Sequence, residues 1–296
     1  MHILENDTLK IKVKKIGAEL CEIASVKNNN QFMWNANPSI WGSFAPNLFP
    51  IIGALKNNTF IYEGEKYMLP KHGFVRHNQD IHLSNQTENS ISFKLISNGE
   101  LLKSYPFQFE FNINYILIDN TLKVEHLIKN TGNKPMFFSV GGHPAFKCPV
   151  YENEAYTDYS LVFEQDEKSE THLLNMNSGL VSSQTKPVFE TPNTIPLHYN
   201  LFDKDALIFK DLKSRKVTLN SKINGDILTV NYTGFPYLGI WAKPNADYVC
   251  IEPWLGVADK EDTNQDITTK EGIVKLEANN NFKATYTIQI HDKHLV

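Results

Sequence analysis

From Phe107 to Leu117 every second residue is apolar or aromatic: Phe107, Phe109, Phe111, Ile113, Tyr115 and Leu117. The positions between them begin Gln108, Glu110, Asn112 and Asn114. A period of two marks a strand with one face in a core and the other in water. Asp119-Asn120 follows as a turn, after which Leu122, Val124, His126 and Ile128 alternate with Lys123, Glu125 and Lys129. The pattern predicts a hairpin with long arms. TFIYEGEKYMLP predicts two short strands joined at Glu63-Gly64, and KVTLNSKINGDILTVNYT two more around Asn224-Gly225-Asp226. YSLVFE, PYLGIWAKP and DYVCIEP add further strands. No amphipathic helix longer than about two turns is evident. Short helical pieces are expected near NPSIWGS and YNLFDKDA, and Glu164–His172 and Ala258–Gly272 read as loops.

Many short strands divided by Gly, Asn and Pro turns point to an all-β fold, a large antiparallel β-sandwich. No repeat of about 20–50 residues is visible, which disfavours a propeller or solenoid. The 296 residues are expected to form a single domain, 1–296, since sandwiches of more than about 200 residues occur as one unit. Hydrophobic residues at 41% and charged residues at 21% suit a packed globular chain.

A net charge of −4 provides no pull toward nucleic acid or an anionic membrane. No run of roughly eighteen apolar residues is present to span a bilayer. The opening MHILENDTLKIKVKK lacks the apolar core of a signal peptide, so a cytoplasmic location is expected. Cys21, Cys148 and Cys250 are far apart, with no CxxC or Cys/His spacing, so neither a disulfide framework nor a metal site is expected. Arg76 and Arg215 are the only arginines. A multi-arginine phosphate clamp therefore cannot be assembled.

Two segments stand out chemically. GGHPAF sets His143 after two glycines and before Pro144, and CIEPW sets Glu252 before Pro253. A residue preceding proline is pushed toward extended geometry, so each side chain is expected at the stiff end of a strand. His and Glu form a workable acid–base pair, with ordinary pKa values of about 6.5 and 4.3. A turn histidine bonded to backbone and a solvated strand-end glutamate are the plainer readings of the same residues.

The ordered set SFAPNLFPIIG, KHGFVR, FFSVGGHPAF, PYLGIWAKP and YVCIEPWLG resembles the galactose mutarotase-like superfamily, and within it the LacX-type branch related to the aldose 1-epimerases. The resemblance implies the family's supersandwich fold and interconversion of the α and β anomers of an aldohexose without a cofactor. It puts the general acid at the ring oxygen on His143 and the general base at the anomeric hydroxyl on Glu252. These two are expected to meet at opposite edges of a pyranose. It gives His72 a substrate-binding role and places Arg76 in the same pocket. The acidic residue that contacts sugar hydroxyls falls on Asp205, with Asp203 as rival. Trp41, Phe44, Phe74, Trp241 and Trp254 lie beside the motifs; most are expected in the core, and at most about two, Trp241 among them, to touch the sugar. Ala54 stands where many relatives carry arginine after the FPIIG run.

The chemistry asks for this pair and for no metal or nucleotide. Base removes the O1 proton, acid protonates O5, the ring opens, and closure on the other face reverses both transfers. His143 must hold a proton, so nearby negative charge is expected to favour its charged form. The expected partner is a small sugar, with no nucleic acid and no membrane. Two other functions stay open on these residues: a carbohydrate-binding or sensing protein without chemistry, and an epimerase of hexose phosphates using Lys56 or Lys71 as point charges. A metal-dependent cupin-like barrel fits worst, since no HxH pair occurs.

Overall fold

The alternating segments fold as strands with their apolar positions inward. In a computed structural model describing residues 1–296, the long hairpin is Phe109–Ile118 paired with Thr121–Asn130. Phe109, Phe111, Ile113, Tyr115 and Leu117 are all buried. On its other face Glu110 meets Lys94 and Lys129, and Glu125 meets Lys123 and Lys283, a lattice of ion pairs on the wet side. Each such pair contributes a few tenths of a kcal/mol. They fix the register more than they stabilise the sheet.

Two large antiparallel sheets result, so the all-β expectation holds. One has nine strands, running from Thr194–Pro196 through the long hairpin to His82–Gln86. The other has eight, in the order Val181–Lys186, Thr171–Leu174, Leu207–Phe209, Tyr237–Trp241, Tyr248–Leu255, Val140–Gly142 and Asn47–Leu48, with Ala145–Lys147 also on Tyr248–Leu255. A three-stranded sheet, His2–Glu5, Leu9–Val13 and Leu20–Ser25, covers one end. Residues from all three sheets share one cluster of 72 buried side chains, so their apolar faces close on a common core. Two-stranded pairs, Thr59–Tyr62 with Glu65–Met68 and Met136–Phe138 with Val274–Leu276, complete the strands.

Two local expectations are corrected. NPSIWGS and YNLFDKDA form turns, not helices. The one α-helix is Gly99–Ser104, capped by Asn98, whose side chain accepts from the N–H groups of Glu100 and Leu101. Six residues are too few to show a helical period, but the Asn cap and the acidic first turn were there to be read. Ala258–Gly272 is a loop with one 3₁₀ turn, Ile267–Thr269, and Glu164–His172 is a loop up to Thr171, where a strand begins.

Candidate active site

The strand Tyr248–Leu255 runs through the middle of the eight-stranded sheet, with Tyr237–Trp241 on one side. On its other side the neighbouring strand is broken. Val140–Gly142 pairs with one part, setting Gly141 opposite Trp254, and Ala145–Lys147 pairs with another, setting Ala145 opposite Cys250. The register continued from either side puts position 143 opposite position 252. His143-Pro144 is the interruption, and proline suits it because it has no N–H to give to a ladder. Directly opposed residues of an antiparallel pair point to the same face, so His143 and Glu252 meet. Nε2 of His143 lies 3.2 Å from Oε2 of Glu252. The approach lacks the alignment of a hydrogen bond.

Glu252 therefore sits inside a strand and not at its end, and its carboxyl lies beside the imidazole. The glycines before His143 are explained by crowding. A Cβ on Gly141 would lie 2.5 Å from the carbonyl oxygen of Pro253, and one on Gly142 would overlap the Tyr286 hydroxyl.

Both groups are buried, His143 at 8% exposure and Glu252 at 1%. Burial, seconded by the positive charge of Arg76, pushes the His143 imidazole down to about 3. Burial pushes the Glu252 carboxyl well above its ordinary range, with Lys71 pulling the other way. Burial thus acts against the charged form of both groups. Desolvation therefore works against the imidazolium that nearby negative charge was expected to favour.

Glu252 and Trp254, two apart on one strand, face a cavity with Trp241, Ile208 and Leu174 from the neighbouring strands of the same sheet. The loops supply Trp41, Lys71, His72, Arg76, Asp205 and Ala258. His72 has φ +67° and is followed by Gly73, where a Cβ would overlap the Phe49 carbonyl. Only glycine lets the chain turn there. Nδ1 of His72 accepts the Gly53 N–H at 3.1 Å, so its neutral ring carries the proton on Nε2, a donor for the cavity. Burial, with His143, Lys71 and Arg76 nearby, keeps that ring neutral. Asp205 lines the cavity and its Oδ1 accepts the Ala206 N–H at 2.7 Å, whereas Asp203 is exposed and lies outside it.

The structure brings together all six residues singled out for the site: His143, Glu252, His72, Arg76, Asp205 and Trp241. Of the other aromatics beside the motifs, Trp41 and Trp254 join Trp241 in the cavity. Trp41 stacks on His143 with centroids 5.2 Å apart, and Trp254 reaches the cavity beside Glu252. Phe74 packs instead against Phe49, Tyr105 and Phe109, and Phe44 lies under the Lys14 ammonium. Lys56 points away, to the carbonyl of Glu261. Leu174, Ile208, Ala206 and Ala258 form an apolar wall that sequence reading missed, since nothing marks them off from core residues.

Donor atoms of His143, Cys250 and Glu252 lie within 4.8 Å of one another, a grouping that sequence spacing did not reveal. The Cys250 thiol is fully buried, and burial together with Glu252 pushes its pKa well up.

Comparison with known proteins agrees with the fold. A family profile described as Aldose 1-epimerase matches residues 1–271. Protein LacX of Lactococcus lactis subsp. lactis, in its plasmid and chromosomal forms, is 34% identical over 97% of this chain and 98% of its own. Among solved structures, a galactose mutarotase related enzyme from Lactobacillus acidophilus is 36% identical with a TM-score of 0.91, over 98% of this chain and 97% of that one. A galactose mutarotase-like protein from Lactobacillus casei is 28% identical, also at 0.91, over 98% of this chain and 100% of that one. No helix of this chain is long and apolar enough to cross a membrane. On the profile match and these full-length similarities, the chain belongs to the aldose 1-epimerase family.

Proposed function

We propose that the protein accelerates interconversion of the α and β anomers of an aldohexose through His143 and Glu252. The observation that carries this reading is their 3.2 Å separation on one face of the sheet, open to a cavity lined by tryptophans. The two oxygens that exchange protons in the reaction, O1 and O5, are both bonded to C1. A close acid–base pair therefore reaches both, and a widely spaced pair would not.

When sugar hydroxyls replace the apolar surroundings of the carboxyl, its proton passes to Nε2 of His143, leaving a carboxylate and an imidazolium. Glu252 then takes the O1 proton while His143 gives its proton to O5. The C1–O5 bond breaks and C1=O1 forms. Both buried charges vanish in that step, which returns the pair to its resting protonation. Rotation about C1–C2 and reversal of the two transfers yield the other anomer. His72 Nε2–H, Arg76 and Asp205 hold the hydroxyls, and the face of Trp241 packs on the C–H side of the ring.

The test is anomeric exchange of glucose and galactose, followed by polarimetry or exchange NMR. Glu252→Gln and His143→Asn should each lose about 10²–10⁴-fold in rate while still binding sugar. Binding without any acceleration by the unaltered protein would assign it instead to non-catalytic carbohydrate recognition.

A further inference from the structure

Trp254 is 4% exposed, and the N–H of its indole is shielded from solvent without an acceptor. Trp34 shows the contrast, since its indole N–H donates to the Trp41 carbonyl at 2.9 Å. Two residues back from Trp254 on the same strand face, Oε2 of Glu252 is also shielded and receives no aligned hydrogen bond. A buried donor and a buried acceptor thus lie close together, and each is costly to leave unpaired.

Glycines on the two flanking strands fix how the indole lies. Gly141 is opposite Trp254, and a Cβ there would stand 3.1 Å from indole Cδ1. Gly239 is opposite Glu252, and a Cβ there would lie 2.4 Å from Cζ2 and 2.9 Å from Cε2. Nε1 is bonded to both Cδ1 and Cε2. The N–H edge of the ring therefore runs back from the Trp254 row toward the Glu252 row. The titratable groups around the carboxyl are His143 across the broken ladder, Cys250 on its own strand, and Lys71, His72, Arg76 and Asp205 from the loops. None of them gives Oε2 a hydrogen bond.

We infer, resting on the anomerase reading above, that Trp254 is a positioning residue whose indole N–H donates to the Glu252 carboxylate in the working state. A carboxylate accepts through several lone pairs, so a small turn of the Glu252 side chain completes the bond. Indole is a donor only and cannot take the O1 proton itself. Its part is to hold the carboxylate in place and to favour the charged form that acts as base. Burial pushes the Glu252 carboxyl up, and the nearness of Lys71 and of the Trp254 donor pulls the other way.

The test replaces Trp254 alone by benzothienylalanine, in which sulfur stands for the N–H and the ring keeps its shape. Fluorotryptophan at the same position keeps the N–H and serves as control. With the isostere, anomeric exchange should lose about 10–100-fold in kcat at unchanged KM, the strength of a hydrogen bond to a charged group. The ionisation constant of Glu252, followed by carbon NMR of its carboxyl, should fall by a similar factor. The control should match the parent in both. An isostere as fast as the parent, with the Glu252 titration unmoved, overturns the inference and leaves the anomerase reading intact. A slow isostere with an unmoved titration overturns it too, and gives the N–H to the sugar instead. If the parent turns over no sugar, the anomerase reading fails, and the Glu252 titration decides the hydrogen bond by itself.

Discussion

The indole of Trp41 lies stacked on the imidazole of His143, 5.2 Å between centroids and 28° between planes. Trp41 also stacks on Tyr248, and its loop is pinned where the Trp34 indole N–H donates to the Trp41 carbonyl at 2.9 Å. The indole is thus a fixed cover that keeps water from one side of the histidine. Removing it in Trp41→Ala should rehydrate the imidazole and raise its pKa from about 3 toward the ordinary 6.5. NMR titration of the His143 ring measures this, and an unmoved pKa would show that Trp41 plays no part in the desolvation.

The two opposed shifts predict an unusual pH profile. His143 takes up a proton only near pH 3, and Glu252 surrenders its own only well above the ordinary carboxyl range. In kcat/KM, which reports the free protein, the histidine should give no acid limb at 6.5, its own falling near pH 3. A loss of rate on acidification through 6.5 would mean that the imidazole titrates independently. Trp41→Ala should create that break.

Gly141→Ala should damage both stability and rate. The new Cβ meets a backbone carbonyl, that of Pro253, so no side chain can move aside. Val140–Gly142 must draw back from Tyr248–Leu255, carrying His143 away from Glu252. Overpacking of this kind costs about 1–3 kcal/mol, and a displacement near 1 Å costs about 10²-fold in rate. Urea unfolding and anomeric exchange on the same sample read the two effects.

His126 bears on stability alone. It is fully buried between Phe111 and Tyr286, with neither ring nitrogen partnered, and burial pushes its pKa down to about 4. Below pH 6.5 the unfolded chain binds a proton here that the folded chain refuses, so stability falls as pH drops from 6.5 toward 4. His126→Leu removes this loss. Relative to the parent it should gain about 2 kcal/mol between pH 7 and pH 5, measured by urea titrations at both values. An identical pH dependence in parent and variant would show that the buried ring is protonated after all.

The long hairpin was legible because Phe109, Phe111, Ile113, Tyr115 and Leu117 repeat every two residues, and burial of one face enforces that period whatever lies on the other side. His143 and Glu252 were legible as residues, through the prolines after them and the family motifs. Their meeting was not. It depends on which strands are neighbours and on a ladder broken at His143-Pro144, and pairing between distant segments leaves no local trace. The choice of Asp205 over Asp203 likewise followed from a turn at φ +70° that points one of two nearby carboxylates at the cavity.

The chain by itself determined the alternating strands, the absence of any long helix, and the identity of the groups able to move protons, because side-chain type and period are local properties. Only the tertiary structure decided how those groups are charged. It strips water from His143 and Glu252 together, which disfavours the charged form of each. Solvation is set by everything that packs around a group, and no stretch of sequence carries that information.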